Sequence, residues 1–317
     1  MTALQPRRQP APADNTARAA TLGDYISLVK PRIIELLLVT TFPVMFLAQH
    51  GVPPVGLIIA TLVGGTLSAA SANTLNCYFD RDIDRLMHRT ANRPLVTGVI
   101  PPASALAFGL ALGVASVLVL DLAVNRLSAA LSLGAIALYV GCYTLVLKRR
   151  TSQNIVWGGL AGCVPVLIGW SAVTDSLAWA PVVLFLVVFF WTPPHYWPLS
   201  MRFKDDYAAA GVPMLPVLVQ DATVARRIVV YAVATVATSL LLVLTGTVGW
   251  IYLVTAVLAG GVFIREAYLL LGRAKDPRNR TLTSLRPMRL FHYSISYLTI
   301  LFVAVAVDPL LHLPLPG

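Results

Sequence analysis

The sequence predicts an all-α integral membrane protein of about nine transmembrane helices, with its N-terminus in the cytoplasm. Three observations lead there. Hydrophobic residues make up 57% of the 317 and charged residues only 12%, and the mean hydropathy is +0.75. Soluble domains run nearer ~45–50% apolar and ~25% charged, so too few charges are present to cover a soluble surface. Nine stretches approach the ~20 apolar residues that a bilayer crossing requires. The basic residues, finally, gather in alternate breaks between those stretches.

The candidate spans lie near 33–50, 54–76, 103–122, 127–147, 155–173, 179–200, 228–246, 250–271 and 290–308. Arg265 and Glu266 interrupt the eighth, and Pro193 and Pro194 predict a kink in the sixth. With the N-terminus inside, 23 of the 24 Lys and Arg residues fall in inside segments and only Arg126 falls outside. This asymmetry orients the chain N-in and C-out in a cell inner membrane. It also accounts for the net charge of +10 without nucleic acid. Residues 1–29 read as a disordered cytoplasmic tail, 30–310 as one transmembrane domain, and 311–317 as a short periplasmic tail. Cys77, Cys142 and Cys163 lack metal or disulfide spacing and read as packing residues.

The first polar cluster is SANTLNCYFDRDIDRLMHRTANRPL, residues 71–95. Asn73, Asn76, Asp80 and Asp84 are three and four apart and share one face if the segment is helical. Carboxylates at that spacing repel, so a cation should bridge them. Two carboxylates with amide oxygens suit Mg²⁺, a hard ion that completes its shell with phosphate and water. Arg81, Arg85 and Arg89 form a neighbouring stripe able to pair with an acid or grip a phosphate, with Arg93 further round. Asp82 points away from Asp80 and Asp84.

A second acidic pair, Asp205 and Asp206, follows the sixth span between Arg202, Lys204 and the segment AAAGVPMLP. Opposite the first cluster it could complete a metal-ion clamp on a diphosphate, stabilising charge on a leaving group. Lys148 ends the fourth span and is a further phosphate contact, whereas Arg149 and Arg150 fit membrane anchors equally well. WTPPHYWPL, residues 191–199, carries His195 about 15 Å inward from Asp205. An intramembrane ionisable group is a functional candidate. It could steer a second substrate, bind haem iron, move a proton, or simply bond a neighbouring helix. Trp191, Tyr196 and Trp197 could line an apolar pocket, stabilise a carbocation or form an interfacial belt. Glu35, one turn into the first span, is expected to face the bundle interior and pair with a basic residue.

The N-x₂-N-x₃-D-x₃-D run at 73–84 with a second acidic motif after the sixth span resembles the UbiA superfamily of intramembrane prenyltransferases. KPR at 30–32, DRDIDRLMHRTANRPL at 80–95 and YTLVLKRRTSQNIVWGG at 143–159 are similar to its haem-modifying branch. So are WTPPHYW at 191–197 and DDYAAAGVPMLPV at 205–217. The resemblance implies a nine-helix bundle around a central cavity, with Mg²⁺ as cofactor. It implies that Asn76, Asp80 and Asp84 hold Mg²⁺–diphosphate from one side, and Asp205 with Asp206 from the other. Asn73, Arg81, Arg85, Arg89, Lys148, Arg202 and Lys204 are then the diphosphate contacts, and His195, Trp191, Tyr196 and Trp197 the haem side.

The implied reaction transfers farnesyl from farnesyl diphosphate to a vinyl group of haem B, with addition of water, on the cytoplasmic side. Asp80, Asp84 and Asp205 would be its catalytic acids. Implied partners are the two substrates, the lipid bilayer, and a haem-modifying oxygenase or oxidase assembly proteins. Three rivals remain: a related enzyme with an aromatic or quinone-precursor acceptor, an ion-coupled transporter, and a non-catalytic haem-binding assembly factor. A small aromatic acid would call for an arginine inside the cavity, and no span shows one clearly. A transporter would place its carboxylates nearer the bilayer midplane.

Overall fold

The computed structural model describes residues 18–279, 281–311 and 313. Among them, nine helices are long and apolar enough to cross a membrane. Helices suit these stretches because every backbone N–H and C=O is satisfied within the segment, which hydrocarbon demands. A short helix α1 (Leu22–Val29) precedes α2 (Pro31–Gln49) and α3 (Val55–Phe79). Then come α4 (Pro102–Ala123), α5 (Arg126–Arg150), α6 (Asn154–Thr174) and α7 (Trp179–Arg202). A short α8 (Lys204–Ala209) leads to α9 (Asp221–Thr245), α10 (Trp250–Lys275) and α11 (Pro287–Leu311).

Sequence punctuation explains the boundaries. Pro31 and Pro102 occupy first-turn positions, where a missing N–H costs nothing. Asn125 caps α5 by accepting the Ser128 N–H at 2.8 Å. The three prolines of α7 (Pro193, Pro194 and Pro198) all lie inside one helix.

Helices adjacent in the chain pack side by side from α2 to α7, then α9 packs on α7, α10 on α9 and α11 on α10. The circle closes where α11 meets both α2 and α7, while α2 also packs on α6. Gly169 permits that last approach, because a Cβ there would collide with the Thr41 carbonyl oxygen.

Two expectations change. The tail expected over 1–29 gives way to α1, while residues 1–17 lie outside the described residues. A capping box drives the helix: Asp24 accepts the Thr21 N–H at 2.8 Å and pairs with Arg18 at 2.7 Å. Leu28 is buried, and Tyr25 packs edge-on against Phe108. Glu35 is exposed and makes no ion pair among the described residues, contrary to the expected inward pairing. One turn from a helix start, a carboxylate keeps contact with the polar boundary and needs no partner.

Arg265 and Glu266 do not break α10, because Glu266 turns inward and is fully buried. Arg289 of α11 grips it at 2.9 Å. The three cysteines are free thiols. Of the C-terminal tail, only Leu311 and Leu313 fall within the described residues.

Candidate active site

The last turns of α3 carry Asn73, Asn76 and Asp80 into a buried polar nest. Asp80 is 0% exposed and Asp84 1%. The Asn76 amide donates to Asp80 Oδ2 at 2.7 Å and to Thr144 Oγ at 3.1 Å. Three cations meet this face, two of them from distant parts of the chain. Lys148 bonds Asp80 Oδ2 at 2.5 Å, Arg93 bonds Asp84 at 2.5 Å, and Lys30 donates to Asn76 Oδ1 at 2.8 Å.

Local structure explains how each cation arrives. Lys30 joins α1 to α2 at φ 55°, a left-handed conformation rare for a side-chain-bearing residue and typical of functional sites. Burial pushes its ammonium pKa down. Lys148 follows a π-helical stretch, Leu138–Leu147, inside α5. Wider turns of this kind are rare and concentrate at functional sites. Here the stretch brings Tyr139, Tyr143 and Thr144 to the same nest. The Tyr143 ring lies where Gly158 has no side chain, and a Cβ there would collide with it.

The arginine stripe expected from i, i+4 spacing does not form. The helix stops at Asp80 (φ −92°, ψ 2°), gives one further turn over Arg81–Asp84, and continues as turns to residue 101. Pro94 and Gly98 (φ 80°) oppose any longer helix there. Arg81 therefore folds back onto the Tyr78 carbonyl at 2.6 Å, and Arg85 is exposed. Arg89 lies over the Phe203 ring. Arg93 reaches Asp84 instead.

Asp82 points away, as the spacing indicated, and binds Arg149 through both oxygens at 2.6 and 2.7 Å. That hydrogen bonding lowers its pKa to about 2. Asn73 donates to the Val29 carbonyl at 2.9 Å, so its amide nitrogen anchors α1.

The second acidic pair does not converge on the first. Asp206 accepts the backbone N–H groups of His88 and Arg89, both at 3.1 Å, and so ties its loop to the first cluster through main chain. Asp205 and Arg202 are exposed and Lys204 is half-buried. Among the described residues, no three His, Cys, Asp or Glu side chains cluster as a metal site would require. The first cluster alone still fits a hard cation. Asp80 Oδ1 is buried with no hydrogen-bond partner, and its neighbours Asn76 and Asp84 offer further oxygens.

An apolar cleft of about 740 Å³, including its mouth, opens beside this nest between α2, α3, α5 and α6. Asn73 and Tyr139 stand at one end, with Leu37, Ala69, Ile136 and Ile168 among its walls. From Asn73 to Gly65 it follows α3 for eight residues, ~12 Å. On α7 the aromatic group divides. Trp191 and His195 stack at 4.2 Å, and Tyr196 bonds the Tyr207 hydroxyl at 2.9 Å. Trp197 departs from the expected haem side: it is buried edge-on against Tyr231 of α9, because two residues of helix turn it away from His195.

Lys30, Arg93, Arg149 and Thr144 escaped the sequence-based site. Arg93 was visible as a charge beyond the first acids and Arg149 as a residue that fits a membrane anchor equally well, but nothing in the local spacing assigned either to a particular carboxylate.

Residues 37–295 match the model of the UbiA prenyltransferase family. A protoheme IX farnesyltransferase of Streptomyces avermitilis is 62% identical, covering 92% of this chain and 95% of its own. One from Streptomyces coelicolor is 56% identical over 98% of this chain and 100% of its own. A solved digeranylgeranylglyceryl phosphate synthase superposes with a TM-score of 0.71 at 19% identity, covering 91% of this chain and 98% of that one. A UbiA homolog from Archaeoglobus fulgidus bound to DMAPP and Mg²⁺ gives 0.67 at 18%, covering 90% and 99%. At such identities the two structures establish the fold, and the family follows from the sequence matches. Matched by that family model over residues 37–295 and by relatives of 56–62% identity, the chain belongs to the UbiA prenyltransferase family.

Proposed function

We propose that this membrane enzyme transfers a farnesyl group from farnesyl diphosphate to a vinyl group of haem B, adding water to give haem O. The observation that carries the reading is Asp80, buried with one oxygen that accepts no hydrogen bond and has only Arg149 at 3.6 Å, on the polar face that Asn73 continues to the apolar cleft. Relatives at 55–62% identity that are named protoheme IX farnesyltransferase support the choice of substrates.

Asn76, Asp80 and Asp84 would hold Mg²⁺, which supplies positive charge against the diphosphate leaving group. Asp205 and Asp206 would have to move to join them. Lys30, Arg93 and Lys148, which rest on the three ligands, would then be free to bind the diphosphate. The cleft takes the farnesyl chain and keeps water from the reacting carbon. As the C–O bond breaks, its electron pair leaves with diphosphate. The vinyl π-electrons then close the new C–C bond, and the cation left beside the porphyrin takes up water and loses a proton. Tyr139 lines the cleft and packs against Tyr143 at 5.4 Å, and aromatic rings there would stabilise an allylic cation.

The basic residues favour an inner-membrane orientation with this site on the cytoplasmic side, where anionic diphosphate departs. Haem O would pass to a haem-modifying oxygenase or to oxidase assembly proteins. The test supplies detergent-solubilised protein with haem B and farnesyl diphosphate, with Mg²⁺ or EDTA. Metal-dependent pyrophosphate release and a haem heavier by farnesyl plus water are expected. Their loss in Asp80→Ala completes the expected result. Prenylation of a different acceptor would replace the haem reading.

A further inference from the structure

The reading above leaves open what orients the haem. His195 is held on α7 between two rings. Its centroid is 4.2 Å from Trp191 at 17° and 4.7 Å from Phe291 of α11 at 27°. Trp191 Nε1 donates to the Ser294 carbonyl at 2.8 Å, so α11 pins one wall of the clamp. The Ser294 hydroxyl contacts the histidine itself, with Oγ 2.9 Å from Nδ1.

Proton counting points to one tautomer. A serine hydroxyl has one proton to donate. Ser294 directs it to the Phe291 carbonyl at 2.6 Å. Toward His195 the hydroxyl can then only accept, so the shared proton sits on Nδ1. The lone pair of the ring is left on Nε2. That atom has no hydrogen-bond partner among the described residues, and it is not among the atoms sealed from the surface. A histidine whose one nitrogen is tied to an oxygen acceptor while the other stays free is the arrangement that orients imidazole toward a metal.

We propose that His195 Nε2 is the axial ligand to the iron of the acceptor haem. Ser294 is a positioning residue that holds the Nδ1–H tautomer, and Trp191 and Phe291 fix the ring plane. The inference rests on haem B being the acceptor. Coordination uses the Nε2 lone pair and leaves the oxidation state of the iron unchanged. It gives the tetrapyrrole one fixed point, and that point is joined to the acid nest by a short path. Tyr196, next in the chain, bonds Tyr207, and Asp206 beside Tyr207 bonds the loop of the first acidic cluster. Iron ligation also gives the site a reason to prefer haem over metal-free porphyrin, which hydrophobic contact alone would not distinguish.

The test titrates full-length protein in detergent with haem B and with metal-free protoporphyrin IX, following the Soret band. Farnesyl diphosphate binding with Mg²⁺ checks that each variant is folded. Wild type is expected to bind haem more tightly than the metal-free ring, with the spectrum of histidine ligation. His195→Ala should abolish that spectrum and the preference together. His195→Gly should regain the spectrum on addition of imidazole. Ser294→Ala, which keeps the histidine but frees its tautomer, should weaken haem binding roughly 10–100-fold and leave metal-free porphyrin binding unchanged. An unaltered haem spectrum in folded His195→Ala, with haem still farnesylated by wild type, overturns the axial ligand alone. Wild type that binds farnesyl diphosphate but no haem overturns the acceptor reading as well.

Discussion

Two buried aspartates at the ends of the bundle make opposite use of the same side chain. Asp308 in α11 is 5% exposed and gives one oxygen to the Gly249 N–H and the other to the Tyr252 N–H at 3.0 Å. It caps the start of α10, where free N–H groups and the helix dipole favour negative charge. Asp80 is equally deep, yet only its Oδ2 accepts hydrogen bonds, from Asn76 and Lys148, while Oδ1 has none and meets only the Arg149 guanidinium at 3.6 Å. Burying a carboxylate oxygen without a partner is costly. The difference teaches that a carboxylate closed by backbone donors serves the fold, whereas one held by side-chain cations alone fits the proposed diphosphate site.

The comparison is most sharply tested at Asp80. Asp80→Asn keeps the shape but removes the charge, and turnover should fall ~10²–10³-fold, the scale for losing one electrostatic contact in a transition state. The thermal midpoint should fall too, because Lys148 loses its buried anionic partner, so turnover is compared on protein shown to be folded. A variant with near-normal turnover would break the contrast. Asp308→Ala should act on stability alone, costing ~1–3 kcal/mol by orphaning two buried N–H groups. Unfolding followed by tryptophan fluorescence in detergent measures this, and the turnover of folded protein should be close to normal.

Asp206→Ala lies between the two extremes. Losing its bonds to the His88 and Arg89 N–H groups should cost ~1 kcal/mol and loosen the loop that carries Arg93. Proteolysis between residues 85 and 100, with and without farnesyl diphosphate, would register it; unchanged cleavage would mean that the loop holds itself.

The smallest effect belongs to Asp82. Its folded pKa of about 2 lies below the ordinary 3.8 because Arg149 bonds its charged form. Its contribution is therefore fully present above about pH 4 and fades as pH falls from 4 toward 2. Asp82→Asn should flatten that segment of the stability curve and lower stability at neutral pH by the same small amount, since exposed pairs contribute little.

The limits of local pattern are visible within one loop. Asn76, Asp80 and Asp84 were legible as one polar face because they stay on α3 or the single turn after it. Arg81, Arg85 and Arg89 do not form the stripe that the same periodicity predicts, because the helix ends at Asp80 and spacing loses its meaning beyond that point. Lys30 was quoted in the sequence motif without a role, since its reach to Asn76 depends on a left-handed φ that a lysine does not advertise. The i+5 stretch in α5 was likewise invisible, and with it the convergence of Tyr139, Tyr143 and Thr144. Trp191, His195, Tyr196 and Trp197 are consecutive enough to read as one group, yet helix rotation sends them to three different neighbours.

Sequence alone determined what depends on composition and short spacing. The apolar runs and their breaks specify the spans because each helix satisfies its own backbone and hydrocarbon tolerates little else. The acids at the end of α3 were equally plain. Only the tertiary structure decided which cation rests on which ligand. Lys148 is 68 residues from Asp80 and Lys30 is 46 from Asn76, so both pairings exist only through helix packing. The Ser294 that orients His195 lies 99 residues away on another helix, and proximity of that kind belongs to the closed bundle.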